Sequence, residues 1–155
     1  MTGWVFARLY KNPVKQTLDW ISLVLPLMLG VTRIGCLLNG CCYGRRTEGF
    51  GGMYLPGRYG NWDYIYPTQI FLMLLDFGLF AWLWKRKDCH PAEGSQTIWF
   101  LVVFSTGRFL IDGLRDLPPV LGGLNIHQWA SLMILLTTLM ILFFNPKQQE
   151  RTSSF

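Results

Sequence analysis

Charged residues are scarce in this chain of 155 residues, and long apolar runs take their place. Only 15% of the residues are Asp, Glu, Lys or Arg, whereas 51% are hydrophobic. An ordinary soluble domain carries about 25% charged residues. The shortage of charge therefore argues against a soluble globular domain.

Four apolar stretches have close to the length that crosses a hydrocarbon core of about 30 Å. They are residues 20–38, 67–84, 97–114 and 128–144, and the last of them has no charged residue. The sequence predicts an all-α, polytopic membrane bundle with four main transmembrane helices and a short amino-terminal helix. Residues 1–146 are predicted to form a single membrane domain with a long outer loop at 45–66, followed by a polar tail at 147–155.

The net charge of +5 does not indicate a nucleic-acid partner, because the basic residues flank the apolar stretches. Three basic groups fall on one side of a four-span topology: Arg8, Lys11 and Lys15; Lys85, Arg86 and Lys87; Lys147 and Arg151. The positive-inside rule makes that side, with the carboxy terminus, cytoplasmic. Arg45, Arg46 and Arg58 are basic on the outer side, which indicates anionic head groups or an anionic substrate there.

Arg33 lies near the end of the first apolar stretch, where burying a charge costs about 2.5–3.5 kcal/mol on insertion scales. On a helix it shares one face with Cys36 and Gly40. One interpretation is an arginine that snorkels to the outer interface over small packing residues. The other is the mouth of a membrane-embedded site.

A second polar group is formed by Arg108, Asp112 and Arg115, which are spaced as one stripe on an apolar helix. Either Arg108 and Asp112 neutralise each other for packing, or Asp112 orients a guanidinium that binds a phosphate. Gln69 either binds a head group or caps neighbouring backbone. We expect Asp76 to pair with an arginine of another span, and His127 to act as a cap or interface residue.

Four cysteines are present, and we expect mostly free thiols, because Cys41 and Cys42 are adjacent and bridge only with strain. A thiol-based redox or metal site at Cys36, Cys41 and Cys42 is one functional hypothesis. Adjacent cysteines seldom chelate one ion well, so the sequence does not predict a metal site.

Three motifs occur in order along the chain: Arg33, Gly35, Gly40, Gly44 and Arg45; Pro67, Thr68 and Gln69; Gly107, Arg108, Phe109, Asp112 and Arg115. With these motifs residues 20–135 resemble the prolipoprotein diacylglyceryl transferase family. The resemblance implies a bacterial inner-membrane enzyme that moves diacylglyceryl from phosphatidylglycerol to the lipobox cysteine of a prolipoprotein. It implies an active site at the outer face and no cofactor or metal.

By position, the resemblance implies that Arg33 and Arg108 are catalytic and polarise the phosphate. It implies substrate binding by Asn39, Gly44, Arg45, Gln69, Asp112 and Arg115. The implied partners are phosphatidylglycerol, the prolipoprotein signal peptide and membrane lipids. A rival hypothesis is a non-catalytic membrane protein that binds anionic phospholipid head groups through the same arginines.

This sequence also departs from the family's pattern. Cys36 and Cys41 stand where the family has Asn and Glu, and Asp112 stands where it has Glu. The His-Gly-Gly stretch that supplies the family's base does not occur in this sequence. We therefore expect the 155-residue chain alone to transfer little or no diacylglyceryl.

Overall fold

The computed structural model describes residues 14–49, 51–56, 61–88 and 94–144. In chain order these residues form α1 (Val14–Leu38), β1 (Met53–Pro56), β2 (Trp62–Ile65), α2 (Thr68–Arg86), α3 (Ser95–Asp112) and α4 (Ile126–Phe144). The predicted amino-terminal helix, the polar tail, Arg58 and Cys89 lie outside the described residues. The helices agree with the predicted stretches to within two residues, except that α1 begins six residues before the predicted start at residue 20.

Three helices, α1, α2 and α4, are long and apolar enough to cross a membrane, among the residues that the structure describes. Large apolar side chains lie exposed on their outer faces, including Met28 on α1, Leu74 on α2 and Phe143 on α4. Polar side chains such as Asp76 and Asp112 are buried instead. This distribution is typical of a helix bundle surrounded by lipid. The prediction of a helical membrane protein is confirmed, with three apolar spans where four were expected.

The remaining helix, α3, is not among these three candidate spans. It packs against α1, α2 and α4, whereas α4 packs against α3 alone among the described elements. A β-carbon on Gly107 would lie 2.6 Å from Leu75 Cδ1, so glycine is what permits the close approach of α2 and α3. The side chain of Asp112 is fully buried in this packing and that of Arg108 is 20% exposed, so the pair is largely shielded.

The amino-terminal ends of α1 and α3 are joined by the carboxylate of Asp19. Its Oδ2 accepts a hydrogen bond from the backbone N–H of Gly94 at 2.6 Å, and its Oδ1 accepts from the N–H and hydroxyl of Thr97 at 2.9 and 2.8 Å. Gly94, the N-cap residue of α3, has no side chain to accept these bonds. Asp19 therefore caps a helix to which it does not belong, and it holds the start of α3 against α1.

The connection predicted as an outer loop at 45–66 contains a β-hairpin that the sequence analysis did not predict. β1 and β2 are antiparallel, with Tyr54 opposite Tyr64 and Pro56 opposite Trp62. The aromatic and apolar residues of these strands have high β propensity. Each strand has only four residues, and the many turn-forming residues around them hid this signal.

The segment before the hairpin is held between two other parts of the chain. The N–H of Gly44 donates to Tyr66 O at 3.0 Å, and the N–H of Arg45 donates to Leu114 O at 2.8 Å. Gly44 also forms an antiparallel bridge with Arg115. A β-carbon on Gly44 would lie 2.6 Å from Tyr66 O and 2.9 Å from Leu114 O, so no other residue fits there without displacing backbone.

We predict that Asp19→Ala lowers the free energy of unfolding by about 1–3 kcal/mol, because the N–H groups of Gly94 and Thr97 lose their acceptor. Asp19→Asn should cost less, since the amide oxygen still accepts one hydrogen bond. Thermal unfolding in detergent measures the effect. Lys15→Ala, one turn earlier on an exposed position of α1, is the control and should leave the transition unchanged.

We also predict that Gly44→Ala destabilises the protein by about 1–3 kcal/mol, because the added methyl overpacks the contact with Tyr66 and Leu114. The matched control is Gly78→Ala, since a β-carbon there has no atom within 4 Å. Alanine at that helical position should be neutral or slightly stabilising. Equal thermal stability of the two variants would contradict the close packing described at Gly44.

Candidate functional site

Buried polar residues collect at one end of the bundle, where α1 and α3 end and where α2 and α4 begin. Among them Gln69, Asp112, Arg115 and Gln128 are all less than one-tenth exposed. The loops that join these helix ends cover the same region through Gly44, which bridges to Arg115. Residues from three of the predicted motifs therefore lie at the same end of the molecule.

Asp112 is completely buried and holds two arginines. Its Oδ2 accepts from Arg108 Nε at 3.3 Å, and its Oδ1 accepts from Arg115 Nη1 at 3.2 Å. Both sequence interpretations of this stripe predicted contact between Asp112 and an arginine. Because one carboxylate faces two guanidinium groups, the cluster retains a net positive charge.

The loop after α3 is fixed to α4 by side-chain amides. Asn125 Nδ2 donates to the backbone carbonyl of Asp112 at 3.0 Å, and Gln128 Oε1 accepts from the N–H of Asn125 at 3.0 Å. Gln128 Nε2 donates in turn to Phe109 O at 3.4 Å. These bonds keep the carboxyl end of α3 and the start of α4 in a fixed relation. His127 is the second residue of α4 and is half-buried.

Arg33 and Arg108, the two arginines predicted to be catalytic, lie near the same buried carboxylate. Both interact electrostatically with Asp76, although they come from α1 and α3 and Asp76 comes from α2. The described side chains include no ion pair within 4.0 Å between Asp76 and either arginine. The three groups therefore compensate one another at longer range rather than through direct contact.

Several buried polar atoms near these residues have no hydrogen-bond partner among the described residues. The atoms are Arg33 Nε, Gln69 Oε1, Asp76 Oδ1, Ser105 Oγ and Arg115 Nε. Ser105, Arg108 and Asp112 share one face of α3, and Gln69 and Asp76 share one face of α2. Buried donors and acceptors without partners are costly, so their concentration on facing helices is typical of a site that binds a polar ligand or water.

Gln69 and Thr68 hold the backbone that follows α1. Gln69 Nε2 donates to Cys41 O at 2.6 Å, and Thr68 Oγ1 donates to Cys42 O at 2.9 Å. The amide nitrogen of Gln69 thus caps neighbouring backbone, which was one of its two interpretations. The amide oxygen of Gln69, Oε1, has no hydrogen-bond partner among the described residues and can accept one from a ligand.

A cleft of about 350 Å³ opens beside this cluster. Of the predicted site residues, Gly44 and Arg115 line it. Tyr43, Arg46 and Asp63 also line it, and Arg46 Nε pairs with Asp63 at 2.9 Å. Sequence reasoning did not include these three in the site. The basic charge of Arg46, in the loop predicted to face outward, was the signal that could have identified it.

Six of the eight predicted site residues do not line the cleft: Arg33, Asn39, Arg45, Gln69, Arg108 and Asp112. Asn39 is exposed just past the end of α1, and its N–H donates to Gly35 O at 3.0 Å. Arg45 is exposed too, and its Nη2 donates to Gly113 O at 2.5 Å. In this structure Arg45 supports the backbone after α3 rather than presenting its guanidinium to the cleft.

Three described cysteines, Cys36, Cys41 and Cys42, are free thiols near the cleft. Desolvation, with hydrogen bonds from the Cys42 and Cys36 thiols, raises the pKa of Cys41 to about 11, although the residue as a whole is exposed. Burial, together with the charge of Cys41, raises the pKa of the Tyr43 phenol as well. At neutral pH neither group is therefore a ready nucleophile or base.

Comparison with known proteins identifies relatives over most of the chain. A phosphatidylglycerol–prolipoprotein diacylglyceryl transferase 2 of Clostridium perfringens is 34% identical over 141 residues, which are 84% of this chain and 53% of that protein. A phosphatidylglycerol–prolipoprotein diacylglyceryl transferase of Clostridioides difficile is 27% identical over 86% of this chain and 52% of its own length. One from Desulfotalea psychrophila is 29% identical over 98% of this chain and 59% of its own length.

The chain thus spans about half the length of the curated relatives it matches. The family model of prolipoprotein diacylglyceryl transferase matches residues 1–144, which include every helix described above. The sequence motifs quoted for this resemblance lie within that match. The chain belongs to the prolipoprotein diacylglyceryl transferase family.

Proposed function

We propose that this chain takes part in the transfer of diacylglyceryl from phosphatidylglycerol to the lipobox cysteine of prolipoproteins. The observation that supports this most directly is the approach of Arg33 and Arg108, from different helices, to the buried Asp76. Arginines at that depth are costly unless they face an anion, water or a counter-charge. The names of the Clostridium perfringens and Clostridioides difficile relatives point to the same reaction.

In the proposed reaction the thiolate of the prolipoprotein cysteine attacks the glycerol carbon that carries the phosphate. A C–S bond forms, a C–O bond breaks, and glycerol phosphate leaves with the bonding electron pair, while the thiol proton passes to solvent. The phosphate changes from a monoanion to a dianion during this step. Guanidinium groups held in place before the reaction stabilise the additional charge as it develops.

The other predicted binding residues take supporting roles in this proposal. Asp112 orients Arg108 and Arg115 so that their remaining N–H groups point toward the phosphate. Gln69 offers its unpartnered Oε1 to a head-group hydroxyl. Gly44 forms part of the cleft wall, whereas Asn39 and Arg45 contact substrate only at the rim of the site.

We further propose that residues 1–146 form one domain that crosses the bacterial inner membrane four times. In this proposal α3 crosses the membrane as well as α1, α2 and α4. Lys15, Lys85 and Lys87 lie at the ends of α1 and α2 opposite the polar cluster. By the positive-inside rule that end is cytoplasmic, and the site faces outward. The carboxy terminus then lies in the cytoplasm.

We predict that Arg33→Ala and Arg108→Ala each lower the rate of transfer by about 100-fold or more, because each removes a donor to the leaving phosphate. Arg33→Lys and Arg108→Lys should lose nearly as much, since an ammonium does not reproduce the planar fork. Transfer to a lipobox peptide in phosphatidylglycerol vesicles, followed by mass spectrometry, measures the rate. It is measured with the chain alone and together with the unmatched half of the Clostridium perfringens relative.

The matched control is Arg86→Lys, at the opposite end of the bundle, where the guanidinium stacks on Trp82 at 4.5 Å. This variant should retain the parent rate per folded molecule. Full activity of both Arg33→Lys and Arg108→Lys would contradict the proposed phosphate clamp. Arginine-dependent binding of phosphatidylglycerol with no transfer in either arm would favour the non-catalytic lipid-binding alternative.

We predict that Asp112→Asn lowers transfer by about tenfold or more, because the amide no longer fixes two guanidinium groups with a full charge. Asp112→Glu should restore much of the rate, since it returns the carboxylate. The same transfer assay measures both variants, and thermal unfolding separates loss of folding from loss of rate. An asparagine variant as active as the parent would exclude Asp112 from the clamp.

A further inference from the structure

The end of α1 brings two cysteines together by its backbone geometry. The N–H of Gly40 donates to Leu37 O at 3.2 Å, the N–H of Cys41 donates to Cys36 O at 3.1 Å, and Gly40 has a φ of 61°. This pattern is a Schellman motif, in which the side chains at the positions of Cys36 and Cys41 commonly touch. In most helices that contact is hydrophobic, and here both partners are thiols.

Cys42 completes the group through an unusual backbone conformation. Its φ of 65° makes it the single non-glycine residue with positive φ in the described part of the chain. Such a conformation costs free energy for an L-residue and is concentrated at functional sites. The sulfur atoms of Cys36, Cys41 and Cys42 all lie within 4.8 Å of one another. Adjacent cysteines seldom bind one ion well, but the left-handed conformation of Cys42 lets the sulfurs of Cys41 and Cys42 lie close to each other and to that of Cys36.

The spacing of the thiols is close to what one metal ion requires. A zinc–sulfur bond is about 2.3 Å long, so sulfurs that share an ion lie roughly 4 Å apart. A small adjustment of side-chain torsions brings three sulfurs within 4.8 Å to that separation. Thiolate ligands select soft ions such as Cu⁺ and Zn²⁺.

The backbone that carries the thiols is held in place by hydrogen bonds from a neighbouring helix. Thr68 and Gln69, at the start of α2, hold the carbonyls of Cys42 and Cys41. Cys36 is fixed within the last turns of α1. The ligands therefore lie on segments that neighbouring helices position, which reduces the ordering that a metal would have to impose.

We propose that Cys36, Cys41 and Cys42 form a three-thiolate site for one thiophilic metal ion, Zn²⁺ or Cu⁺. On binding, three S–H bonds are replaced by three sulfur–metal bonds, and the protons pass to solvent. The ion joins the end of α1 to the segment that Gln69 and Thr68 hold. Because Cys41 and Cys42 also line the cleft, the bound ion stiffens the cleft wall. The proposal does not depend on the transfer reaction.

The test uses the full chain purified in detergent under reducing conditions without chelator, then titrated with Zn²⁺ and separately with Cu⁺. We expect one ion per chain by elemental analysis, thiolate charge-transfer absorption when Cd²⁺ replaces it, and a rise in the thermal transition on loading. Competition with a zinc chelator and with a Cu⁺ chelator shows which ion binds more tightly. Saturation at less than one ion per chain with both ions would overturn the proposal.

Single replacements Cys36→Ser, Cys41→Ser and Cys42→Ser should each weaken metal binding by about tenfold or more, with loss of the metal-dependent thermal shift. The matched control is Cys89→Ser, at the fourth cysteine of the sequence, which should bind like the parent. If Cys36→Ser fails to fold, the double variant Cys41→Ser/Cys42→Ser changes only residues after α1. It should show the same loss of metal binding. Unchanged stoichiometry and affinity in these variants would contradict the site. A disulfide among the three cysteines that persists under reduction, shown by intact mass, would also contradict it.

Discussion

The polar end of the bundle, where α1 and α3 end, depends on the buried carboxylate of Asp112. A charge with no exposed surface is tolerated only when partners compensate it, and Asp112 has Arg108 and Arg115 as partners. Its backbone carbonyl holds Asn125, and through that amide the start of α4. Arg115 in turn bridges to Gly44, which borders the cleft. One carboxylate thus connects α3, α4 and the segment that precedes the hairpin.

The balance of buried charge agrees with the proposed ligand. Arg33, Arg108 and Arg115 carry three positive charges, and Asp76 and Asp112 carry two negative charges, which leaves a net charge of one positive unit. A phosphodiester head group has one negative charge and would neutralise the cluster. In the proposed reaction, cleavage to glycerol phosphate adds a second negative charge. The guanidinium N–H groups that Asp112 leaves unused then meet more charge in the leaving group than in the bound lipid, which is the condition for catalysis.

The apolar stretches predicted the helices well, because lipid imposes a length and a composition that local sequence reveals directly. The pair of Arg108 and Asp112 was equally predictable, since their spacing places both on one face of α3. Arg115 was expected on the same helical face, but α3 ends at Asp112 and Arg115 reaches the carboxylate from the segment that follows. The hairpin and the thiol cluster were not predictable in this way. The hairpin depends on pairing across residues 53–65, and the cluster depends on the left-handed conformation of Cys42, which no propensity assigns to cysteine. The charge of Arg46 was visible in the sequence, but its pairing with Asp63 and its position in the cleft wall come from the fold.

Several of the proposed site residues lie at helix ends for a reason that follows from the membrane. A helix that stops leaves backbone carbonyls or N–H groups without partners, and in a lipid environment the protein itself must satisfy them. Here Gln69 and Thr68 satisfy carbonyls after α1, and Arg45 satisfies one after α3. Polar side chains that perform this task also bring unused donors and acceptors to the same place. The capping of helix ends and the assembly of a polar site are therefore one structural solution, and a change in either alters the other.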